Sequence, residues 1–404
     1  MELPSMSQIQ AQNIRVIEAD AYRFFFPLGW FLAVAGVFLW ILFLYHVIDL
    51  YPKELHADTM SGGFLILFAS GFLMTAVPRF TGTFGLEPWE LGLFGSACLS
   101  VVGTLFLPSR LPFHAAEAAT LFFLLAFCLR RIRLRTVLPP PPLVFVLAGL
   151  TTGIAGCVFQ AVHDATARFE ALAILSQLYF YQGLQLLLIL GIGIFLIPNL
   201  LGHPTCMPPV TVGIRTPGSA ALPYFRYVPK PMWIVIAVFL SSFGLEAYGQ
   251  VIAAHALRTA IVALVCLHDW KISRLPKARS TVSWSLWISC WLLLLGLVFQ
   301  LFAPAYDIHA RHLTYIGGMG LMTLIIATRV TLSHGGHDMA LEKTSKLLKI
   351  FAGLMLLAAT TRAAARFLPE EAYWNHLLFA AWVWIAALIL WGTFALPRLL
   401  RVQK

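Results

Sequence analysis

Apolar runs of membrane-spanning length recur along almost the whole chain, and they decide what it can fold into. A helix crossing the hydrocarbon of a bilayer needs roughly 20 apolar residues, because each residue advances it by only about 1.5 Å. Such runs occupy Phe24–Val47, Ser61–Pro78, Leu91–Leu107, Pro112–Leu129, Pro142–Val162, Leu172–Pro198, Trp233–Tyr248, Val251–His268, Trp284–Phe302, His312–Leu332, Leu347–Phe367 and Trp374–Leu396. The predicted fold class is therefore all-α: a polytopic membrane helix bundle of about twelve transmembrane helices. Composition agrees. Only 11% of the 404 residues are charged and 59% are hydrophobic, whereas soluble chains carry about 25% charged residues. No polar stretch is longer than the Asn199–Lys230 connection, so residues 1–404 read as a single transmembrane domain. Glu246, Gly249 and Gln250 interrupt the pattern between the seventh and eighth runs, which predicts a tight turn between two short spans.

The basic residues set the orientation. Arg130, Arg131, Arg133 and Arg135 follow span four, and Arg215, Arg226 and Lys230 follow span six. Lys271, Arg274, Lys277 and Arg279 follow span eight, and Lys343, Lys346 and Lys349 follow span ten. Arg398, Arg401 and Lys404 follow span twelve. Every strongly basic segment falls after an even-numbered span, so the positive-inside rule puts the even connections and both termini in the cytoplasm. Residues 1–20 become an N-terminal cytoplasmic segment, polar and unlike a signal peptide, and 199–230 a long cytoplasmic connection. Arg362 and Arg366, near the end of span eleven, are the main exception. The net charge of +10 does not point to nucleic acid, because its carriers sit between hydrophobic runs. Of the six cysteines, five lie in or at the ends of apolar runs, with no CxxC spacing; they read as small core residues. Pro139–Pro142 marks the entry to span five. No convincing internal repeat is visible.

This topology sorts the twelve histidines by depth. His46, His56, His114, His163, His255, His309, His312 and His376 fall at or near the outer ends of spans, and His203, His268, His334 and His337 at the inner ends. A single interfacial histidine is more often an ordinary residue than a ligand. Eight at similar depth suggest a shared site near the outer face, since imidazole serves copper, iron and haem. A haem between helices needs an axial histidine and apolar walls. His309 and His312, three apart, share a helix face, as do His255 and Arg258; Arg258 is a candidate partner for a haem propionate. His203-Pro204-Thr205-Cys206-Met207 offers soft-metal donors on an inner loop, but its composition reads first as a proline-rich turn. Carboxylates are scarce at mid-depth, with Glu117 about a turn and a half inside span four; this weakens an ion-coupled transporter. No P-loop, Rossmann or nucleophile-elbow pattern stands out.

Span two and its approach read His56-Ala57-Asp58-Thr59-Met60-Ser61-Gly62-Gly63-Phe64, then Gly71-Phe72-Leu73-Met74-Thr75-Ala76-Val77-Pro78-Arg79-Phe80-Thr81-Gly82. This resembles the signature of the NnrS family, which runs His-Ala-His-Glu-Met, then Gly-Phe-Leu-Leu-Thr-Ala-Val-Pro-Asn-Trp-Thr-Gly. Span ten has His312-Leu313-Thr314-Tyr315-Ile316-Gly317-Gly318-Met319-Gly320, then Met322-Thr323-Leu324, Thr328-Arg329 and Ser333-His334-Gly335-Gly336. It is similar to a second family segment that opens on a histidine, continues through a glycine-rich turn, Met-Thr-Leu and Thr-Arg, and closes on Gly-His-Thr-Gly. Arg23-Phe24-Phe25 resembles the family's N-terminal Arg-Pro-Phe-Phe.

The resemblance implies a bacterial inner-membrane protein that binds haem b and copper and is linked to nitric oxide response or tolerance, hence to nitrosative stress and denitrification. It carries over His56, His312 and His334. Three positions depart from the pattern: Asp58 stands for the second motif histidine, Thr59 for its glutamate, and Phe195 for an arginine in the family's Gly-Gly-Arg-Val-Ile-Pro. Asp58 can ligate a metal, though it favours harder ions than imidazole does. The expected cofactor-binding set is His56 and His312, with His46, His163, His255, His376 and Arg258 from the same outer group; the expected metal set is His56, His312, His309, His334 and Asp58. Expected partners are the lipid bilayer and nitric oxide or another diatomic. A membrane electron-transfer subunit using haem and quinone, or a redox partner protein, is a second reading. A transporter with purely structural histidines is a third.

Overall fold

Each predicted span is a helix in the structure, a computed structural model that describes residues 20–105, 107, 109–166, 170–205 and 224–401. Residues 1–19 and most of the 199–230 connection, including Cys206 and Met207, lie outside the described residues. The helices are α1 (Tyr22–Leu44), α2 (Lys53–Thr81), α3 (Pro88–Thr104), α4 (Leu111–Leu134), α5 (Leu143–Thr166) and α6 (Glu170–Leu201). They continue as α7 (Lys230–Ala247), α8 (Val251–Asp269), α9 (Thr281–Phe302), α10 (Pro304–His334), α11 (Lys346–Phe367) and α12 (Glu370–Leu400). Eleven of them are long and apolar enough to cross a membrane. The other, α3, has 17 residues, and at about 1.5 Å per residue it reaches roughly 25 Å of a hydrocarbon core near 30 Å. No strand occurs among the described residues. Large side chains such as Leu99, Phe122, Ile234, Ile252 and Ile389 are exposed, as expected of faces turned to lipid.

Local sequence explains where the helices start and stop. Pro88 opens α3, and Glu87 and Glu90 close a capping box over its first turn, satisfying N–H groups that have no partner within the helix. Ser280 caps α9 by accepting from Ser283 N at 3.1 Å. The predicted turn between spans seven and eight is Tyr248–Gly249–Gln250. Gly249 takes φ +83°, a conformation that costs glycine little, and Gln250 N–H donates to Leu245 O at 2.8 Å.

Most helices adjacent in sequence pack on each other, and α12 returns along α1 to close the bundle. Two indoles fasten that closure: Trp30 Nε1 donates to Leu388 O at 2.8 Å, and Trp384 Nε1 to Ala33 O at 3.1 Å. The core belongs to α2, α6 and α10. In these, 78, 67 and 72% of the most apolar stretch is buried, the three highest shares among the described spans. They stand four helices apart in the chain, and each carries a π-helical stretch in its first half: Thr59–Leu65, Leu178–Gly183 and Leu313–Gly320. A fourth π-helical stretch, Val265–Asp269, ends α8. The fold thus repeats an arrangement that has no visible counterpart in the sequence. A π stretch widens the helix and shifts the facing of residues on either side, which is why such stretches gather at functional sites.

Candidate histidine site near one end of the bundle

His56 sits in the first turns of α2 and His312 in the first turns of α10, each just ahead of a π-helical stretch. Their imidazole rings lie 6.4 Å apart, centre to centre, with planes only 10° apart. His56 Nδ1 is 2.9 Å from Gly36 O of α1, and His312 Nδ1 is 2.6 Å from Ile308 O one turn earlier. A carbonyl oxygen only accepts, so each Nδ1 carries the proton and donates it. In the neutral ring the lone pair is then on Nε2, and neither Nε2 has a hydrogen-bond partner among the described residues. Trp40 of α1 packs edge-on to His56 at 6.1 Å.

The surroundings are polar and come from α10 itself and two further helices, α11 and α12. His309, 4% exposed, lies one turn before His312. Its Nδ1 is 3.1 Å from Arg362 Nη1 of α11; a guanidinium only donates, so this histidine has its lone pair on Nδ1, the reverse of the other two. Tyr373 of α12 packs edge-on to it at 6.1 Å. His376 donates from Nε2 to Thr361 O at 3.0 Å.

A second cluster holds His255 and Arg258. Arg258 is 1% exposed. It pairs with Glu246, donates to Gln182 Oε1 at 2.8 Å and to Ser242 Oγ at 3.3 Å, and lies 4.2 Å over the Phe243 ring. His255 has Nδ1 3.1 Å from Gln300 O and Nε2 3.5 Å from Glu246. Arg311 joins the cluster, 2.6 Å from Asp307 and 3.6 Å from Glu246. The guanidinium of Arg258, expected to meet a propionate, is thus occupied by Glu246.

The other expected residues are placed elsewhere. Asp58, 1% exposed, pairs with Arg110, the residue just ahead of α4, and accepts from Tyr181 OH at 2.7 Å. His46 is exposed at the end of α1, with φ +56°, and His163 is half-buried near the end of α5. His334 is exposed at the far end of α10 beside Tyr22. Twenty-two residues of helix separate it from His312, about 33 Å at 1.5 Å per residue, so the two do not share a site. Among the described residues, no three His, Cys, Asp or Glu side chains converge on a position where they could hold a metal ion. Glu117 is fully buried, and its carboxyl occupies the place where a Cβ on Gly62 of α2 would sit. Sequence reasoning did not single out Trp40, Arg110, Tyr181 or Tyr373. Arg362 it noticed only as an exception to the charge rule, which was the available signal.

These features define a class: a polytopic α-helical membrane protein with a histidine pair held by its central helices α2 and α10 near one end of the bundle. Residues 17–403, nearly the whole chain, match the family model described as NnrS protein. The chain belongs to the NnrS family. No curated protein matches it.

Proposed function

We propose that this protein is a haem-binding protein of the bacterial inner membrane that serves the response to nitric oxide, with His56 and His312 as iron ligands. The observation that supports this is the ring pair: both Nδ1 atoms are committed to backbone carbonyls, neither Nε2 atom has a partner among the described residues, and the centres are 6.4 Å apart. Histidine ligands usually donate their other ring N–H to a carbonyl or carboxylate, which fixes the tautomer and raises the basicity of the ligating nitrogen. A ring separation of this size would let both imidazoles hold one metal at the usual nitrogen–metal distance of about 2 Å. NnrS membership supports the link to nitric oxide.

A bound haem would supply a one-electron iron couple and, only where one of the two imidazoles gives up its place, room for a diatomic gas. The chain's own residues would orient and shield it. The Gly36 and Ile308 carbonyls hold the two rings, and Trp40 limits water on the His56 side. Copper has less support, because Asp58, which replaces the second family histidine, is already engaged by Arg110 and Tyr181.

The ring pair also supports a second reading: if both imidazoles hold one iron, the site would suit electron transfer, for example with quinol as donor. The test is an optical spectrum of the purified protein, oxidised, reduced with dithionite, and reduced with nitric oxide. A Soret band is expected, and His56→Ala or His312→Ala removes or shifts it. A reduced spectrum unmoved by nitric oxide selects electron transfer, and a shifted one selects gas binding. A colourless, metal-free preparation overturns the proposal.

A further inference from the structure

Arg362 is a membrane-embedded cation with no counter-charge among the described residues. It lies near the outer end of α11, where the charge rule disfavours arginine. Three other arginines of this half of the bundle have an acid: Arg110 has Asp58, Arg258 has Glu246, and Arg311 has Asp307 and Glu246. Arg366, also without one among the described residues, is exposed, whereas Arg362 is partly buried. Among the described residues no carboxylate lies within ion-pair distance of Arg362. Its hydrogen-bond partner is the neutral acceptor His309 Nδ1 at 3.1 Å, and besides the histidines the ionisable groups acting on it are the phenols of Tyr373 and Tyr51. Its bond to His309, which lies one turn before His312 on α10, places it next to the ring pair.

An unpaired guanidinium inside a membrane protein is costly and persists where something compensates it. His309 occupies one of its five N–H donors, leaving a fork whose geometry matches a carboxylate or similar oxyanion. His309 itself, 4% exposed and packed against Tyr373, holds that fork in place. We propose that Arg362, positioned by His309, forms an anion subsite beside the His56–His312 pair that takes a planar oxyanion of the carboxylate type. Two sources share that chemistry: the propionate of the haem proposed above, or a free small anion such as nitrite or formate. The first source rests on the haem reading; the second does not.

The experiment compares wild-type protein with Arg362→Gln, Arg362→Lys and a control, Arg366→Gln, whose exposed side chain lies one turn on, over the Tyr306 ring. The full-length proteins are purified in detergent without chloride. Haem content, the rate of haem transfer to apomyoglobin and the midpoint potential are measured first. Stabilisation against heat by formate and by nitrite is measured second. If a propionate is the ligand, Arg362→Gln loses haem roughly tenfold faster or more, as expected for a lost charged hydrogen bond. Its midpoint potential falls, Arg362→Lys recovers part of both effects, and Arg366→Gln matches wild type. If the ligand is a free oxyanion, Arg362→Gln keeps its haem but loses saturable stabilisation by formate or nitrite. Haem retention and anion stabilisation both within twofold of wild type in Arg362→Gln overturn the subsite. A wild-type protein without haem sinks the haem reading, while the formate and nitrite arm still decides the subsite. Should Arg362→Gln fail to accumulate, Arg362→Lys carries the same test, because it keeps the charge and loses the fork; unchanged haem loss and anion stabilisation then overturn the proposal.

Discussion

Asp58 shows how one substitution in a motif is read differently once its neighbours are known. In the sequence it stands where NnrS relatives carry a second histidine, which makes it a candidate ligand. In the fold its carboxylate lies between Arg110 and the Tyr181 hydroxyl, so the negative charge already has a partner. Restoring histidine would leave Arg110 facing a neutral ring. Asp58→His is therefore expected to destabilise the protein by about 2–3 kcal/mol, at or below the low end of the range for breaking a buried pair because the Arg110 side chain is a quarter exposed. A lower melting temperature with no gain in bound copper is the expected result; tight copper binding with unchanged stability would show that Asp58 is a ligand position after all. Arg258 carries the same lesson, since its spacing from His255 is as expected but its guanidinium is held by Glu246, Gln182 and Ser242.

The elements that matter most are α2 and α10, and glycines set how closely they pack. A Cβ on Gly318, six residues after His312, would stand 2.8 Å from the Leu293 Cα of α9. The obstacle is backbone, which cannot rotate away, so α10 would have to shift and carry His312 with it. Gly318→Ala is expected to cost about 1–3 kcal/mol, as overpacked cores do, and to weaken haem retention; a melting curve and the haem-to-protein ratio read both. Gly353 in α11 has nothing within 4 Å of its Cβ position. Gly353→Ala is expected to leave haem retention alone and to stabilise by about 0.4–1 kcal/mol, because alanine costs less than glycine to order in a helix. Equal effects of the two substitutions would show that helix propensity, not the α9–α10 approach, dominates.

For the whole molecule, the consequential contact joins the ends of the chain. Trp30 and Trp384 fasten α1 to α12 through each other's backbone, and α12 also lies along α11. A chain ending after Phe367 would leave one side of α1, including Trp30 and Ala33, uncovered by its helix partner. Such a truncation is expected to yield aggregated or degraded protein, checked by size exclusion in detergent. A monodisperse, haem-retaining truncate would mean that closure is dispensable.

The sequence by itself determined the all-helical class, the positions of the spans, the tight turn at Gly249 and the family. These depend on local properties: run length against bilayer thickness, a glycine able to take a positive φ, and motif residues in order along one strand of text. It also placed the histidines by depth, because depth follows from distance along a helix. Which of those histidines meet was decided only by the tertiary structure. Residues at equal depth can lie on any side of a bundle, and the ring closure of α12 on α1, with α2 and α10 in the core, brings His56 to His312. The packing of α8 on α7 sets His255 beside Glu246, and His46, just past the end of α1, stays exposed. Which arginines have an acid, and that Arg362 does not, follows from helices far apart in sequence coming side by side, a fact that spacing within one helix does not contain.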